Sequence, residues 1–416
     1  MTHREPTRRT FLQASAVAGA AAITRPAHAA VTARRGANGK VTVVVFQRGA
    51  ADHLNLYAPT GDSHYATLRP TIAVKPPGSP SGVIGLPMNA TFSMHPNLAG
   101  IHAAYTAPAS KLAIVHAVGY QPYSRSHFVA QDNYETALQV LTTGDGWINR
   151  HLQVTTSPTN APVRALAIRG SLPRSMAGAY PCYGVASTQE LVFLGTNDVR
   201  VFLEAIVDST PTAGMPAPQQ LAYQSAQATF DLVDHFAVLD PVNYVPANGA
   251  VYPNSTLGRS LKEVAEVIKA GLGVEFYAVD ANGWDHHSDL VVRIAPLATD
   301  LSASITAFFT DLGPTLTNDV VLVTMSEFGR ECQENGSFGT DHGVGGAMLV
   351  QGGAVNGGTV HGVWPGLAPG ALQDGRYLAP SNDFRDVLRE ILVSHMGGTD
   401  PAVVFPGRTY VPIGVL

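Results

Sequence analysis

Cysteine is almost absent: Cys182 and Cys332 are the only two in 416 residues. Two thiols cannot build a thiolate zinc centre, so a metal held by this chain must use oxygen and imidazole ligands. They can close at most one disulfide, and only in an oxidising compartment. Charge is sparse too, at 14% of residues, with a formal net charge of -5 and a pI near 6.3. No Lys/Arg-rich patch occurs, and a nucleic-acid partner is thereby disfavoured. Beyond the first thirty residues, no apolar run reads as long enough for a membrane span, which needs about 20 apolar residues. There is no internal repeat and no low-complexity tract. What is plentiful is loop chemistry: 29 prolines and 41 glycines are spread along the chain, which implies many ordered loops and argues against a single disordered tail.

The N-terminus is a processing segment. Thr7-Arg8-Arg9-Thr10-Phe11-Leu12-Gln13 sets two arginines ahead of a short, Ala-rich apolar stretch from Ala14 to Ile23, and Ala27-His28-Ala29 supplies small residues for cleavage. Residues 1–30 read as a twin-arginine signal peptide. The mature protein is then expected to start near Ala30, without stable membrane insertion, as a periplasmic, cell-surface or secreted protein. Twin-arginine export carries folded proteins, often with cofactors already loaded.

The chain is long enough for one large α/β domain with insertions, or for two domains, and residues 31–416 are read as one. Continuous apolar runs at Val41–Phe46, Leu112–Val118, Val163–Ile168, Val274–Val279, Asp319–Thr324 and Ala347–Val350 read as buried strands. Helical patterns fall between them at His127–Val140, Ala217–Phe236, Leu257–Ala270, Leu290–Phe309 and Asp383–His395. The alternation predicts an α/β fold, a three-layer α/β/α sandwich with a mainly parallel central sheet. Residues 60–95 read as an irregular excursion and 170–255 as a largely helical insertion.

In open parallel sheets, sites gather where strands finish. Polar clusters follow four of these strands: Gln47–Asn55, Tyr120–His127, Asp280–His287 and Thr324–Gly343. Together they offer the carboxylates Asp52, Asp285, Glu327 and Asp341 and the imidazoles His53, His127, His286, His287 and His342. Carboxylate with imidazole is the ligand set of zinc, manganese or iron. Ser126 opens a helix in this reading, where backbone N–H groups favour an anion. A hydroxyl beside a divalent metal can ionise near neutral pH and attack phosphorus or sulfur. Arg125 and Arg330 are the candidates for holding the oxyanion. Simpler roles compete: Asp52 as a turn cap, Ser124 as a helix cap, and His95, His102 and His116 as packed core histidines.

The blocks Arg48-Gly49-Ala50-Ala51-Asp52-His53-Leu54-Asn55, Ser124-Arg125-Ser126-His127-Phe128, Gly283-Trp284-Asp285-His286-His287 and Ser326-Glu327-Phe328-Gly329-Arg330, the last followed by Glu334–Ser337 and Gly339–Gly343, resemble a family. It is a large family of twin-arginine-exported bacterial proteins of unknown function, grouped with the alkaline phosphatase and sulfatase superfamily. The resemblance implies an alkaline-phosphatase-like fold with one or two divalent metals around a hydroxyl nucleophile. Carried over by order, Ser126 is the nucleophile, with Ser124 as the alternative. Asp285, His287 and His342 would hold one metal, and Glu327 and Asp52 the other. His286 stands where the family has Thr and competes as a ligand. Phe328 replaces a superfamily histidine and cannot ligate. Three functions follow as expectations: a metal-dependent hydrolase of small anionic phosphate or sulfate esters, a non-catalytic exported binding or assembly protein, or a protein that binds a single metal without hydrolysis, as in storage or redox work.

Overall fold

The computed structural model describes residues 39–138, 144–159, 161–191, 197–209, 214–398 and 401–416; the signal segment 1–30 lies outside them. Strand β1 (Val41–Gln47, VTVVVFQ) is buried at every position. β-Branched residues on both faces suit a strand covered on both sides. The other strands of its sheet are β2 (Leu112–Gly119), β3 (Ala165–Ile168), β4 (Tyr183–Val185), β5 (Phe276–Ala281), β6 (Val320–Met325), β7 (Gly346–Gly352), β8 (Val360–His361) and β9 (Asn382–Asp383). The order is β8-β2-β7-β6-β1-β5-β3-β4, with β9 also against β2. β1 pairs in parallel with β5 and β6, and β3 with β4 and β5. β7 alone runs antiparallel, between β2 and β6. The run Ala347–Val350 therefore corrects the expectation that a continuous apolar strand is a parallel one: burial of both faces sets that pattern, whichever way the strand runs.

The α-helices of seven residues or more among the described residues are α1 (Ala99–Thr106), α2 (His127–Thr136), α3 (Trp147–Val154), α4 (Asn197–Ser209), α5 (Ala217–Phe236), α6 (Thr256–Ala270), α7 (Leu290–Thr317) and α8 (Phe384–Glu390). Both faces of the sheet are covered. Val41, Val43 and Val45 of β1 join a core with Leu261 and Val264 of α6 and Ile294, Leu301 and Ile305 of α7. Val44 and Phe46 join a second core with Tyr134 of α2, Trp147 and Leu152 of α3 and Val387 of α8. Each fully buried aliphatic side chain contributes about 1.5–3 kcal/mol relative to exposure.

Local chemistry sets the helix ends. Ser255 accepts from the Gly258 N–H to open α6, and Gly271 closes it in the left-handed region. α2 ends at Thr136, short of the expected Val140, because Ala137 turns left-handed; positions 139–140 lie outside the described residues. α7 runs past Phe309 to Thr317, with non-helical geometry at Gly313. By length and composition it is apolar enough to cross a bilayer, unlike the expectation for any later segment. Leu290, Ile294, Leu301, Ile305 and Phe308 are nevertheless buried in the first core. The segment 170–255 holds α4 and α5, and also β4, which extends the main sheet. Residues 57–94 contain a small three-stranded sheet, Tyr57–Ala58, Leu86–Pro87 and Ser93–Met94. The one disulfide that two cysteines could close is not formed: Cys182 and Cys332 are free thiols. Burial pushes both up to about 12.

Asp52 corrects a sequence expectation. It is 1% exposed. Its Oδ1 accepts from the Asn55 N–H and from Arg69 Nη1 at 2.7 Å, and its Oδ2 accepts from Thr340 Oγ1 at 2.8 Å. Burial alone would raise its pKa, but Arg69 and Thr340 hold it below the usual carboxylate range. Arg69 is fully buried and also donates to the Glu331 and Cys332 carbonyls. The pair thus fastens the 57–94 excursion to the loop after β6, and the carboxylate has no oxygen turned to a shared cation.

Two stability measurements check this arrangement. Asp52→Asn leaves the Arg69 charge buried and uncompensated, and is expected to cost about 3–5 kcal/mol in chemical unfolding. Burial also holds His53, His95, His151 and His395 at about 4 and His116 at about 3. An unfolded imidazole titrates near about 6.5. The folded values lie below the unfolded one, so this stabilisation is complete above that pH and is lost as pH falls towards 4. Urea unfolding is expected to weaken by roughly 1–2 kcal/mol per histidine between pH 6.5 and 5; a flat profile across that window contradicts it.

Candidate functional site

The register of the central strands builds the site. Phe46 lies opposite Asp280 on one side and Met325 on the other, so β1, β5 and β6 finish at one rim. The loops that leave them meet there, joined by the Ser124–His127 approach to α2. Close backbone packing explains some of the glycines. Gly49 has φ +110° and a Cβ there would sit 2.6 Å from the Asp285 nitrogen. At Gly339 a Cβ would sit 2.3 Å from the His287 carbonyl carbon. Neither position tolerates a side chain without moving a candidate ligand.

Three imidazoles and one carboxylate converge at the rim. His342 Nε2 lies 3.1 Å from His127 Nε2 and 3.0 Å from His287 Nε2. Asp285 Oδ1 is 3.1 Å from His287 Nε2 and 3.4 Å from His342 Nε2, and its Oδ2 is 3.4 Å from His127 Nε2. His127, Asp285 and His342 each offer a ligand atom, all within 4.8 Å of one another.

The opposite nitrogen of each ring has an acceptor. His127 Nδ1 is 2.8 Å from Glu327 Oε1, His287 Nδ1 is 2.8 Å from Asp341 Oδ1, and His342 Nδ1 is 2.9 Å from the Arg125 carbonyl. With the N–H on Nδ1, each Nε2 carries a bare lone pair, and the lone pairs face one another. A second proton on a ring relieves one contact at most. A cation relieves all of them, and ligand atoms bound to one ion at about 2.1 Å stand roughly 3.0–3.4 Å apart, the spacing found here. A carboxylate or carbonyl behind each imidazole is also the usual support of metal-binding histidines.

Glu327 belongs to that support. It is fully buried, and Oε1 accepts from the Gly49 N–H and Gln131 Nε2 as well as from His127. Burial would raise its pKa, but these donors, His127 foremost, hold it low. In return Glu327 raises the pKa of His127. Burial lowers His342. Asp285, which partial burial would raise, is held low chiefly by Arg330, whose Nη2 donates to it at 2.5 Å.

Of the residues expected from sequence, the structure brings together Asp285, His287 and His342. Glu327 lies one step behind His127, and Asp52 is tied to Arg69, so the pair that would hold a second metal has its oxygens occupied by protein donors. Arg330 is 1% exposed, and its remaining bonds go to the carbonyls of Gly49, Ala50, Trp284 and Thr340. It positions Asp285 and the loops, with no guanidinium edge left for an oxyanion. His286 is buried beside Trp284 and stands outside the cluster. Ser126 precedes α2, is exposed, and makes no capping bond. Ser124 Oγ instead accepts from the Ser126 N–H. The Arg125 guanidinium stacks on Tyr377, 4.9 Å from the ring centroid. His127 was not assigned as a ligand from sequence, nor Asp341 as its neighbour's support. The signal for His127 was its place at a helix start in the second polar block.

Residues 265–399 match a family described as "Protein of unknown function (DUF1501)". Residues 5–24 match the TAT (twin-arginine translocation) pathway signal sequence. No curated protein matches the chain. A solved structure, "Structure of PH0037 protein from Pyrococcus horikoshii", aligns over 87% of this chain and 98% of its own, at 12% identity and a TM-score of 0.29, too low to argue a shared fold. The chain is exported by the twin-arginine pathway, and the segment carrying Asp285, His287, Glu327 and His342 is similar to a family whose function is unknown.

Proposed function

We propose that this exported protein binds one divalent metal through His127, Asp285, His287 and His342 and acts on small anionic phosphate or sulfate esters, on a scaffold of the alkaline phosphatase and sulfatase kind. One observation carries the metal: ligand atoms of His127, Asp285 and His342 lie within 4.8 Å of one another, with His287 Nε2 3.0 Å from His342 Nε2 and 3.1 Å from Asp285 Oδ1, while each ring's Nδ1 is engaged from behind. The donor set of nitrogens and one carboxylate suits zinc, manganese or iron. Bound there, the metal would polarise an ester oxygen and lower the pKa of an adjacent hydroxyl or water.

The chain's own residues divide the remaining work. Ser126 adjoins His127 at the start of α2 and is the proposed nucleophile. The α2 N-terminus favours the developing negative charge. Arg125, whose carbonyl orients His342, offers its guanidinium to the ester oxyanion. Glu327 and Asp341 hold their imidazoles in the tautomer that leaves Nε2 open.

A second reading, metal binding without turnover, is favoured by Phe328. Its ring lies 5.0 Å from His127 and 4.9 Å from His342, so a phenyl group stands against the ligands where a second metal's histidine is expected.

Elemental analysis of protein exported by its own host is expected to find about one equivalent of zinc, manganese or iron per chain. A chain without metal overturns both readings. Glu327→Gln or Asp341→Asn, each removing a charge behind a ligand, is expected to weaken metal binding about 10–100-fold, and His342→Ala more. Turnover of a chromogenic phosphate or sulfate ester separates the readings. Ser126→Ala is expected to lower kcat by about a hundredfold or more, with metal content unchanged. Full activity in that variant removes Ser126 from the chemistry, and a metal-loaded wild type inert on both esters favours the second reading.

A further inference from the structure

Next to the metal-type cluster lies a cleft of about 230 Å³, lined among others by Arg48, Phe128, Gln131, Glu135, Arg169 and Arg174. It shares α2 with the cluster. Phe128 follows His127 directly. Gln131, one turn on, donates to the same Glu327 oxygen that holds the His127 ring. Spacing of three and four residues puts Phe128, Gln131 and Glu135 along one side of the helix.

The floor of the cleft is an arginine pair set on one carboxylate. Asp280, near the end of β5, accepts from Arg48 Nε at 3.0 Å and from Arg169 Nε at 2.7 Å. The remaining guanidinium nitrogens of Arg48 are engaged by Gln131 and Glu135. Those of Arg169 are not: among the described residues, its Nη1 and Nη2 have no hydrogen-bond partner, although its side chain is only 16% exposed. A largely covered guanidinium with its terminal fork open matches a planar or tetrahedral oxyanion bound through two N–H groups. At the mouth stands Phe128, 89% exposed, an apolar ring open to a ligand's apolar body.

We infer that the cleft is an anion subsite: the Arg169 fork takes the carboxylate or phosphate of a small organic anion whose apolar body lies on Phe128. The inference rests on the metal-dependent reading above and narrows its substrate to esters that carry a second, non-reacting anionic group. Arg169 binds this group, and the intervening α2 turn directs the rest of the molecule towards His127.

Calorimetric titration of the full chain with benzoate and with phenylphosphonate, which has no ester bond to hydrolyse, tests it, with acetate and methylphosphonate as the arms lacking a ring. At least one aromatic anion is expected to bind, and the better of the two identifies the preferred headgroup. Arg169→Gln is expected to weaken that binding at least tenfold with metal content unchanged. Phe128→Ala is expected to weaken the aromatic anion at least threefold and leave its ring-free counterpart unaltered. Should Arg169→Gln not fold, Arg169→Lys, which keeps a charge on Asp280 but loses the fork, decides with an expected loss of at least threefold. Binding equal to wild type in the Arg169 variants, or no binding of either aromatic anion at millimolar concentration, overturns the subsite and leaves the metal reading standing. Arg169-dependent binding to a chain that holds no metal does the reverse.

Discussion

A buried guanidinium holds the rim together. Arg330, in the loop after β6, reaches back to the Gly49 and Ala50 carbonyls after β1, to the Thr340 carbonyl in its own loop, and to the Asp285 carboxylate after β5. Loops from three parallel strands would otherwise bring unsatisfied carbonyls into a covered space, at a cost of about 1–3 kcal/mol for each group. One planar donor set satisfies them and fixes the carboxylate in the same act. Arg330 thereby sets the carboxylate against which the three imidazoles, held from behind by Glu327, Asp341 and the Arg125 carbonyl, are placed.

Glu327 does for α2 what Arg330 does for the loops. Its oxygens gather N–H groups from Gly49, Gln131 and His127, which ties the first strand's exit to the first turns of the helix. A buried anion and a buried cation thus lie in one loop, three residues apart, and each is matched by groups from distant parts of the chain. This answers why β6 should end in so many charges and glycines: the charges bind loops, and the glycines let backbones approach where a Cβ would collide.

Much of the sheet was legible in the sequence because burial on both faces leaves a continuous apolar signature, as in Val41–Phe46 and Val320–Thr324. Strand direction leaves no such mark, so β7 could not be told from its neighbours. The short strands β4, β8 and β9 carry too few residues to make a pattern. At the site, residue types were legible and their partners were not. Asp52 and Asp285 read alike on paper, and each meets a buried arginine; what separates them is that Asp52 is sealed with Arg69 at 1% exposure while the Asp285 side chain stays 46% exposed. His127 meets Glu327 across 200 positions of sequence, a pairing that no local spacing encodes.

The position of β1 bears on how this molecule leaves the cell. It occupies the middle of the sheet, yet its flanking strands begin at Phe276 and Val320. During synthesis the seven-residue VTVVVFQ segment emerges early and waits with both edges bare until most of the polypeptide has cleared the ribosome. A transporter that takes only finished folds suits such a chain. The leader sits upstream of a strand whose two edges close only with the second half of the chain, so engagement before folding would expose an unpaired apolar segment, and patience at the cytoplasmic face protects it.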